Sequence, residues 1–228
     1  MSIATAISDV RERIRRACMN AGRAASDVDL LLATKTVSPE RLREAIAAGA
    51  TLFGENRMQE FVPKAEALQD APITWHFIGH LQTNKVRDAV RHAVCVQSVD
   101  RPSLAKELDK ELQKRGTGLD ILVEVNTSGE ESKHGAAPEH VDDLLEYIGT
   151  CASLRVRGFM TIGALSEDEN DVRACFRSLR TIRDKAIEDG RIPSSATVLS
   201  MGMSGDLELA VEEGSTMIRI GSAVFGRR

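Results

Sequence analysis

Short apolar runs alternate with longer amphipathic segments along the whole chain. Eight runs have the length and composition of strands buried on both faces, as in parallel sheets: Val28–Thr34, Ala50–Phe53, Thr74–Ile78, Val94–Gln97, Leu119–Val125, Val156–Met160, Ala196–Ser200 and Thr216–Ile220. The segments between them have helical spacing: Pro39–Ala48, Asn56–Gln69, Leu81–His92, Pro102–Lys114, Pro138–Ala152, Asp168–Asp189 and Asp206–Glu213. Strands that alternate with helices predict a parallel sheet covered by helices.

The number of strands favours a closed (β/α)8 barrel of the TIM type, and an open doubly wound sheet is the alternative. After the eighth strand only residues 221–228 remain, too few for a closing helix, whereas a further helix, Ile3–Arg23, precedes the first strand. Because a closed barrel places its first and eighth strands side by side, we expect this N-terminal helix to stand in for the missing last helix. No flexible linker or charged block divides the chain, so we predict a single domain over residues 1–228.

Composition narrows the class of protein. The chain carries 30 Lys and Arg against 34 Asp and Glu, and 42% of its residues are hydrophobic. This is the balance of a globular protein without the basic surface of a nucleic-acid binder. No run approaches the roughly 20 apolar residues of a membrane span, and Met1–Arg23 lacks the apolar stretch of a secretion signal. The four cysteines are widely spaced, and we predict a reduced cytoplasmic protein.

One lysine stands at the carboxyl end of a predicted strand, where barrels place their functional sites. Lys35 follows the run Leu30–Thr34 and, by strand alternation, shares a face with Leu31 and Ala33. If that face looks into the barrel, Lys35 reaches the barrel mouth above the small Ala33. A partly desolvated amine there is a good nucleophile towards a carbonyl group. The alternative is a lysine that extends from the strand end into solvent.

The eighth predicted strand carries an arginine at a position whose side chain faces the barrel interior. Ile218 and Ile220 take the face that packs against helices, so Arg219 points into the barrel. A guanidinium there stays charged and needs an acceptor. A ligand atom is one candidate. The other is Glu124, which also faces inwards, and an Arg219–Glu124 pair would have no functional meaning.

Small residues follow the last two strands: the loop Ser200–Asp206, and then Gly221 and Ser222. Loops in these positions often hold phosphate, because small residues expose backbone N–H groups and hydroxyls donate. The alternative is that Ser204 and Asp206 only cap the following helix. Since the first and eighth strands are neighbours, the lysine, the arginine and these loops meet. A phosphorylated aldehyde with a ring nitrogen suits all three, and pyridoxal phosphate is such a molecule.

Seven segments, in order along nearly the whole chain, resemble the pyridoxal phosphate homeostasis proteins, which are single-domain relatives of the alanine racemase N-terminal barrel. They are Leu32–Val37, Phe53–Arg57, Trp75–Lys85, Val125–Gly135, Gly158–Thr161, Leu199–Ser204 and Arg219–Ser222. The resemblance implies an internal aldimine on Lys35, with Asn56 beside the cofactor ring and Arg219 facing its nitrogen. It implies a phosphate site formed by Ser200, Met201, Gly221 and Ser222. Many relatives carry threonine at the position of Ser222, and the hydroxyl is retained.

The resemblance also implies a function: binding of pyridoxal 5'-phosphate and a part in vitamin B6 homeostasis, without strong catalysis. Two-base racemisation needs a second base besides Lys35, and the only tyrosine, Tyr147, lies within a predicted helix. The alternatives are a pyridoxal phosphate-dependent amino-acid racemase or lyase and, from another class, a Schiff-base barrel that acts on sugar phosphates. We expect a monomer whose partners are the cofactor and the apo-enzymes that receive it.

Two further features receive no functional role. His76 and His80 are four residues apart but straddle a strand end and a glycine, so we expect no metal site. In the polar loop Ser128–Gly135, Lys133 is interpreted as solvated surface. The alternative is a gate that admits or releases the cofactor.

Overall fold

The computed structural model describes residues 1–226. Within them, eight parallel strands pair in sequence order and close into a barrel. The strands are β1 (Asp29–Ala33), β2 (Leu52–Glu55), β3 (Thr74–Phe77), β4 (Cys95–Val99), β5 (Leu119–Glu124), β6 (Leu154–Met160), β7 (Val198–Ser200) and β8 (Met217–Ile220). The barrel closes where β8 pairs with β1 and Leu31 lies opposite Arg219. The predicted closed barrel is confirmed, and the open sheet is wrong.

Helices follow the strands and cover the outside of the barrel. They are α1 (Ile3–Asn20), α2 (Pro39–Ala47), α3 (Met58–Ala67), α4 (Val86–His92), α5 (Pro102–Arg115), α6 (Val141–Gly149), α7 (Glu169–Glu188), α8 (Leu207–Glu212) and α9 (Ser222–Phe225). Two α-helices begin later than predicted because 3-10 turns, Thr83–Lys85 and Pro138–His140, precede them. Across residues 1–226, none of the helices combines the length and apolar character needed to cross a bilayer.

The N-terminal helix α1 occupies the position expected for a last barrel helix. Its first turn is capped by Ser2, whose hydroxyl accepts the Thr5 N–H at 3.1 Å. The apolar face, which includes Val10 and Ile14, is buried, and α1 packs against α2, α8 and α9. The expected substitution of α1 for the last helix is confirmed. The structure adds α9, a single turn after β8 that the sequence analysis did not predict.

The outward faces of the strands pack against the helices, whereas part of the inward surface is polar. On the outside, the Phe61 ring lies 5.5 Å from Trp75 and 5.8 Å from Phe77, between centroids. A separate small cluster of Cys95, Leu122, Met160 and Val198 lies on the opposite face of the strands, inside the barrel. The barrel is therefore filled at its centre, and its cavity lies at the carboxyl ends of the strands.

Gly158 brings two strands unusually close together. Its φ is +147°, and a Cβ at this position would lie 2.0 Å from the carbonyl oxygen of Val198. Only glycine permits this approach of β6 and β7. Ser200 at the end of β7 and Thr161 directly after β6 both contact Arg219 in the site.

Candidate functional site

A cavity of about 830 Å³ opens at the carboxyl ends of the strands. Its wall includes five residues that the sequence analysis assigned to a cofactor site: Lys35, Asn56, Arg219, Gly221 and Ser222. They come from the ends of β1, β2 and β8, which are adjacent in the barrel. The volume is in the range typical of small-molecule sites. Residues far apart in sequence thus meet around one space.

The chain turns sharply after Lys35. Lys35 is half-buried and lines the cavity two residues beyond β1. Thr36, which follows it, has φ of +62°, a left-handed conformation that is strained for a β-branched residue. The Thr36 N–H donates to Glu60 Oε2 at 2.7 Å and holds this conformation. Strain therefore accompanies the placement of the lysine.

Replacing Thr36 with glycine is expected to raise the free energy of unfolding by about 1 kcal/mol, because glycine adopts a positive φ without steric cost. Urea unfolding of the cofactor-free protein measures the change. Thr197→Gly is the matched control, since Thr197 is exposed and has no positive φ. That control should lose stability. An equal loss in both variants would show that position 36 carries no relievable strain.

A buried ion cluster fixes the backbone on both sides of Lys35. Lys64 on α3 is 6% exposed, and Glu55 is fully buried. The Lys64 ammonium donates to the Thr34 carbonyl, to Glu55 Oε2 and to Glu60 Oε2, each at 2.7 Å. Because Glu60 also accepts from the residue after Lys35, one cation organises the whole turn. Lys64 and Glu60 are not among the site residues predicted from the sequence.

Glu55 also positions Asn56. Its Oε1 accepts the Asn56 N–H at 2.7 Å and the Arg57 N–H at 3.2 Å. At Gly79, a Cβ would lie 2.1 Å from the Asn56 carbonyl oxygen, so only glycine lets the two loops meet. In the described part of the chain, the buried Oδ1 of Asn56 has no hydrogen-bond partner. An open acceptor in a cavity wall fits a site built for a polar ligand.

Arg219 is buried, and its guanidinium is held by two neighbouring strand ends. Nη1 donates to the Ser200 carbonyl at 2.6 Å and to the Ser200 hydroxyl at 2.9 Å, and Nη2 donates to the Thr161 carbonyl at 2.7 Å. Burial lowers the pKa of Arg219 to about 10, so the group is charged at neutral pH. Among the described residues its partners are Ser200 and Thr161 and not Glu124, whose Oε2 has no hydrogen-bond partner. The hypothesis of an Arg219–Glu124 pair is therefore wrong.

The predicted phosphate residues are only partly brought together. Ser200 and Met201 are fully buried and do not line the cavity. Strand β7 ends at Ser200, deep in the barrel, and the chain needs three more residues to reach the rim. Residues 203–205 line the cavity instead, beside Gly221 and Ser222. The Ser200 hydroxyl instead accepts from Arg219, and the contact of Ser200 and Met201 with phosphate stays a prediction.

The loop before α8 is held by a hydrogen bond between its own residues, and, among the residues that the structure describes, some of its backbone N–H groups remain unpaired beside the cavity. Asp206 Oδ1 accepts the Met203 N–H at 2.6 Å, and neither Ser204 nor Asp206 caps α8 with its side chain. The Ser222 hydroxyl donates to the Ser204 hydroxyl at 3.3 Å. Within residues 1–226, the backbone N–H groups of Ser204 and Gly205 have no acceptor. Two hydroxyls and these N–H groups suit an anion.

The two histidines lie in different surroundings. His76 faces the barrel interior, where its Nδ1 is 2.7 Å from Gln97 Nε2. His80 lies 3.6 Å from Asp100, and its ring stacks on His134 with centroids 4.0 Å apart. The stacked planes differ by 21°, and the potential ligand atoms of His80, Asp100 and His134 lie within 4.8 Å of one another. Burial and the neighbouring imidazole lower the pKa of His80. His134 was not predicted at this place, because only loop packing brings it to His80.

Lys133 is not a freely solvated side chain. Its ammonium donates to Glu130 Oε1 and to the Gly163 carbonyl, both at 2.6 Å. These bonds tie the loop after β5 to the segment after β6. The interpretation of Lys133 as solvated surface is therefore corrected.

Comparison with known proteins identifies the family. Residues 14–228 match the model of the alanine racemase N-terminal domain. The pyridoxal phosphate homeostasis protein of Aquifex aeolicus is 45% identical over 228 residues, covering 100% of this chain and 99% of that protein. The chain belongs to the pyridoxal phosphate homeostasis protein family. The resemblance found in the sequence is thereby confirmed.

Solved structures agree with this assignment. PipY of Synechococcus elongatus, solved with pyridoxal phosphate bound, has 32% identity and a TM-score of 0.87, with coverage of 99% of this chain and 100% of PipY. An unknown protein from Bifidobacterium adolescentis has 39% identity and a TM-score of 0.92, with coverage of 98% and 94%. Both comparisons extend over essentially the whole barrel.

Proposed function

We propose that this protein binds pyridoxal 5'-phosphate in the cavity and takes part in intracellular vitamin B6 homeostasis. The observation that carries the proposal is the convergence of Lys35, Asn56 and Arg219 on one cavity with a rim of small residues. The orphaned Asn56 Oδ1 and the free N–H groups of the rim fit a ligand with a polar ring and an anionic group. Family membership and the ligand of PipY support the same conclusion.

Each residue has a distinct task in this proposal. Lys35 holds the cofactor covalently as a Schiff base: a C=N bond forms between Nζ and the aldehyde carbon, and the aldehyde oxygen leaves as water. Asn56 and Arg219 flank the ring. The phosphate is held by the two loops after β7 and β8: Ser204, Gly205, Gly221 and Ser222. Ser200 contributes by orienting Arg219, and Met201 belongs to the core.

The site favours storage and transfer of the cofactor over catalysis. A charged Arg219 at the ring nitrogen disfavours protonation there, which weakens the cofactor as an electron sink. The only tyrosine, Tyr147, packs on the outside of the barrel in α6 and is absent from the cavity wall. We therefore infer a monomeric, single-domain cytoplasmic carrier that supplies apo-enzymes and has at most weak racemase-type activity.

Removal of Lys35 tests the covalent link. Wild-type protein mixed with pyridoxal phosphate should be yellow, and borohydride reduction followed by mass spectrometry should place the adduct on Lys35. Lys35→Ala should lose the reducible adduct completely, whereas Lys110→Ala on the exposed face of α5 should keep it. A full adduct on the Lys35→Ala protein would refute the assignment.

The match to the alanine racemase N-terminal domain supports one alternative function, that of an amino-acid racemase or lyase. Chiral analysis of a panel of amino acids, incubated with loaded protein and with free cofactor, separates the two functions. A carrier gives turnover close to that of the free cofactor. Turnover far above that level would establish the enzyme.

A further inference from the structure

A chain of hydrogen bonds crosses the barrel interior behind the cavity wall. Arg219 Nη1 donates to the Ser200 hydroxyl at 2.9 Å, Ser200 donates to Gln97 Oε1 at 2.7 Å, and Gln97 Nε2 lies 2.7 Å from His76 Nδ1. Gln97 and Ser200 are fully buried. Neither Gln97 nor His76 lines the cavity. The chain thus links the guanidinium in the cavity wall to residues without access to a ligand.

Chemistry fixes the direction of every bond in this chain. A guanidinium has no acceptor, so Arg219 can only donate to the Ser200 oxygen. The single hydroxyl proton of Ser200 must then go to Gln97 Oε1. The amide nitrogen of Gln97 consequently faces His76, whose Nδ1 must be an unprotonated acceptor. The ring proton of His76 is therefore on Nε2.

The surroundings of His76 agree with this tautomer. Burial lowers the pKa of His76 to about 4, although Asp120 opposes the shift. The imidazole is thus neutral at neutral pH, as an acceptor at Nδ1 requires. The Sδ of Met217 also lies 3.1 Å from Gln97 Nε2 and is a weak acceptor for the second amide proton.

We propose that Gln97 and His76 are positioning residues that fix the Arg219 guanidinium where it meets the ring nitrogen of the cofactor. The inference rests on the proposed function. Without the acceptor of Gln97, the Ser200 hydroxyl proton loses its partner, and the guanidinium is oriented only by the carbonyls of Ser200 and Thr161. A loosely oriented donor binds a ring acceptor less well.

Three variants of the interior test the proposal. Gln97→Met is nearly isosteric and removes both hydrogen bonds, and Gln97→Glu keeps the acceptor for Ser200. Cys95→Ala is the matched control. Cys95 lies on the same strand and faces the interior, but it takes no part in the hydrogen-bond chain. The affinity for pyridoxal phosphate is measured by absorbance titration, and the spectrum of the bound cofactor is recorded as a function of pH.

We expect Gln97→Met to weaken binding about tenfold, the effect of losing the buried hydrogen bond from Ser200 that orients Arg219, and to change the pH dependence of the spectrum. Gln97→Glu should recover most of the affinity, and Cys95→Ala should match the wild type. Wild-type affinity in Gln97→Met, or an equal loss in Cys95→Ala, overturns the proposal.

A second measurement needs no cofactor. Nitrogen NMR of the cofactor-free protein should show His76 as the neutral Nε2–H tautomer in the wild type, and Gln97→Glu should shift its proton towards Nδ1. A proton on His76 Nδ1 in the wild type would refute the proposed hydrogen-bond chain. Failure of the wild type to bind pyridoxal phosphate would refute the proposed function instead, and the tautomer would still test the positioning chain.

Discussion

Replacing Lys64 with methionine is expected to lower the free energy of unfolding by about 3–5 kcal/mol, the cost of breaking a buried ion pair. The change leaves the fully buried Glu55 without its cation, because Lys64 is its ion-pair partner at 2.7 Å. Thr34, on the other side of the pair, also loses the donor to its carbonyl. Urea unfolding of the cofactor-free protein measures the loss.

Two controls distinguish the buried pair from the loss of any lysine. Lys110→Met removes an exposed partner of Glu107 and should cost no more than about 0.5 kcal/mol. The double variant Lys64→Met with Glu55→Gln removes both charges and should recover part of the stability, since no charge is left buried alone. A Lys64→Met protein as stable as Lys110→Met would refute the structural role of the cluster.

The same cluster also carries a consequence for the site. Its members hold the backbone at Thr34 and Thr36, on either side of Lys35. Loss of Lys64 should therefore weaken cofactor binding in protein that still folds, even though Lys64 does not line the cavity. The hydrogen bonds of the Lys64 cluster therefore both stabilise this end of the barrel and position Lys35.

The fold was predictable because its signal is local. Each predicted strand overlaps an observed one, and each predicted helix overlaps an observed helix. The hydrophobic periodicity and the turn residues that define each element lie within a few positions of one another. Lys35 and Arg219 were also predictable. Their inward direction follows from strand alternation alone.

The supporting residues were not predictable by that reasoning. Lys64 contacts Thr34 across 30 positions, and the contact exists only because α3 packs beside β1. The burial of Ser200 behind the cavity wall was not predictable either, because the depth at which a strand ends inside a barrel has no local signal. Gln97 did leave a trace, a polar side chain at an inward position of an apolar run.

Glu124 is the second position where one substitution should have a large effect. The carboxyl is 3% exposed, and its Oε2 has no partner among the described residues. Burial and the nearby Asp100 raise the pKa of Glu124 from 4.5 to about 7, although Arg219 and Arg101 oppose the shift. The folded protein therefore keeps this proton over a pH range in which the unfolded chain has lost it.

The sign of the pH dependence follows from linkage. The stabilising contribution of protonated Glu124 is fully present below the unfolded pKa and is lost as pH rises through about 7. The cost above that pH is about 3 kcal/mol, from a shift of two to three pKa units. Glu124→Gln is uncharged throughout, so its stability relative to the wild type should rise by that amount between about pH 4.5 and about pH 8.

Urea unfolding of both proteins at the two pH values gives this difference directly. His76, whose pKa burial lowers to about 4, titrates in both proteins and cancels in the comparison. Met160→Leu, opposite Glu124 in the β5–β6 pair, is a control that changes interior packing without changing a titrating group. Its difference from the wild type should be the same at both pH values. A Glu124→Gln difference that is equally flat would mean that the carboxyl is ionised in the folded barrel at neutral pH, next to Arg219 after all.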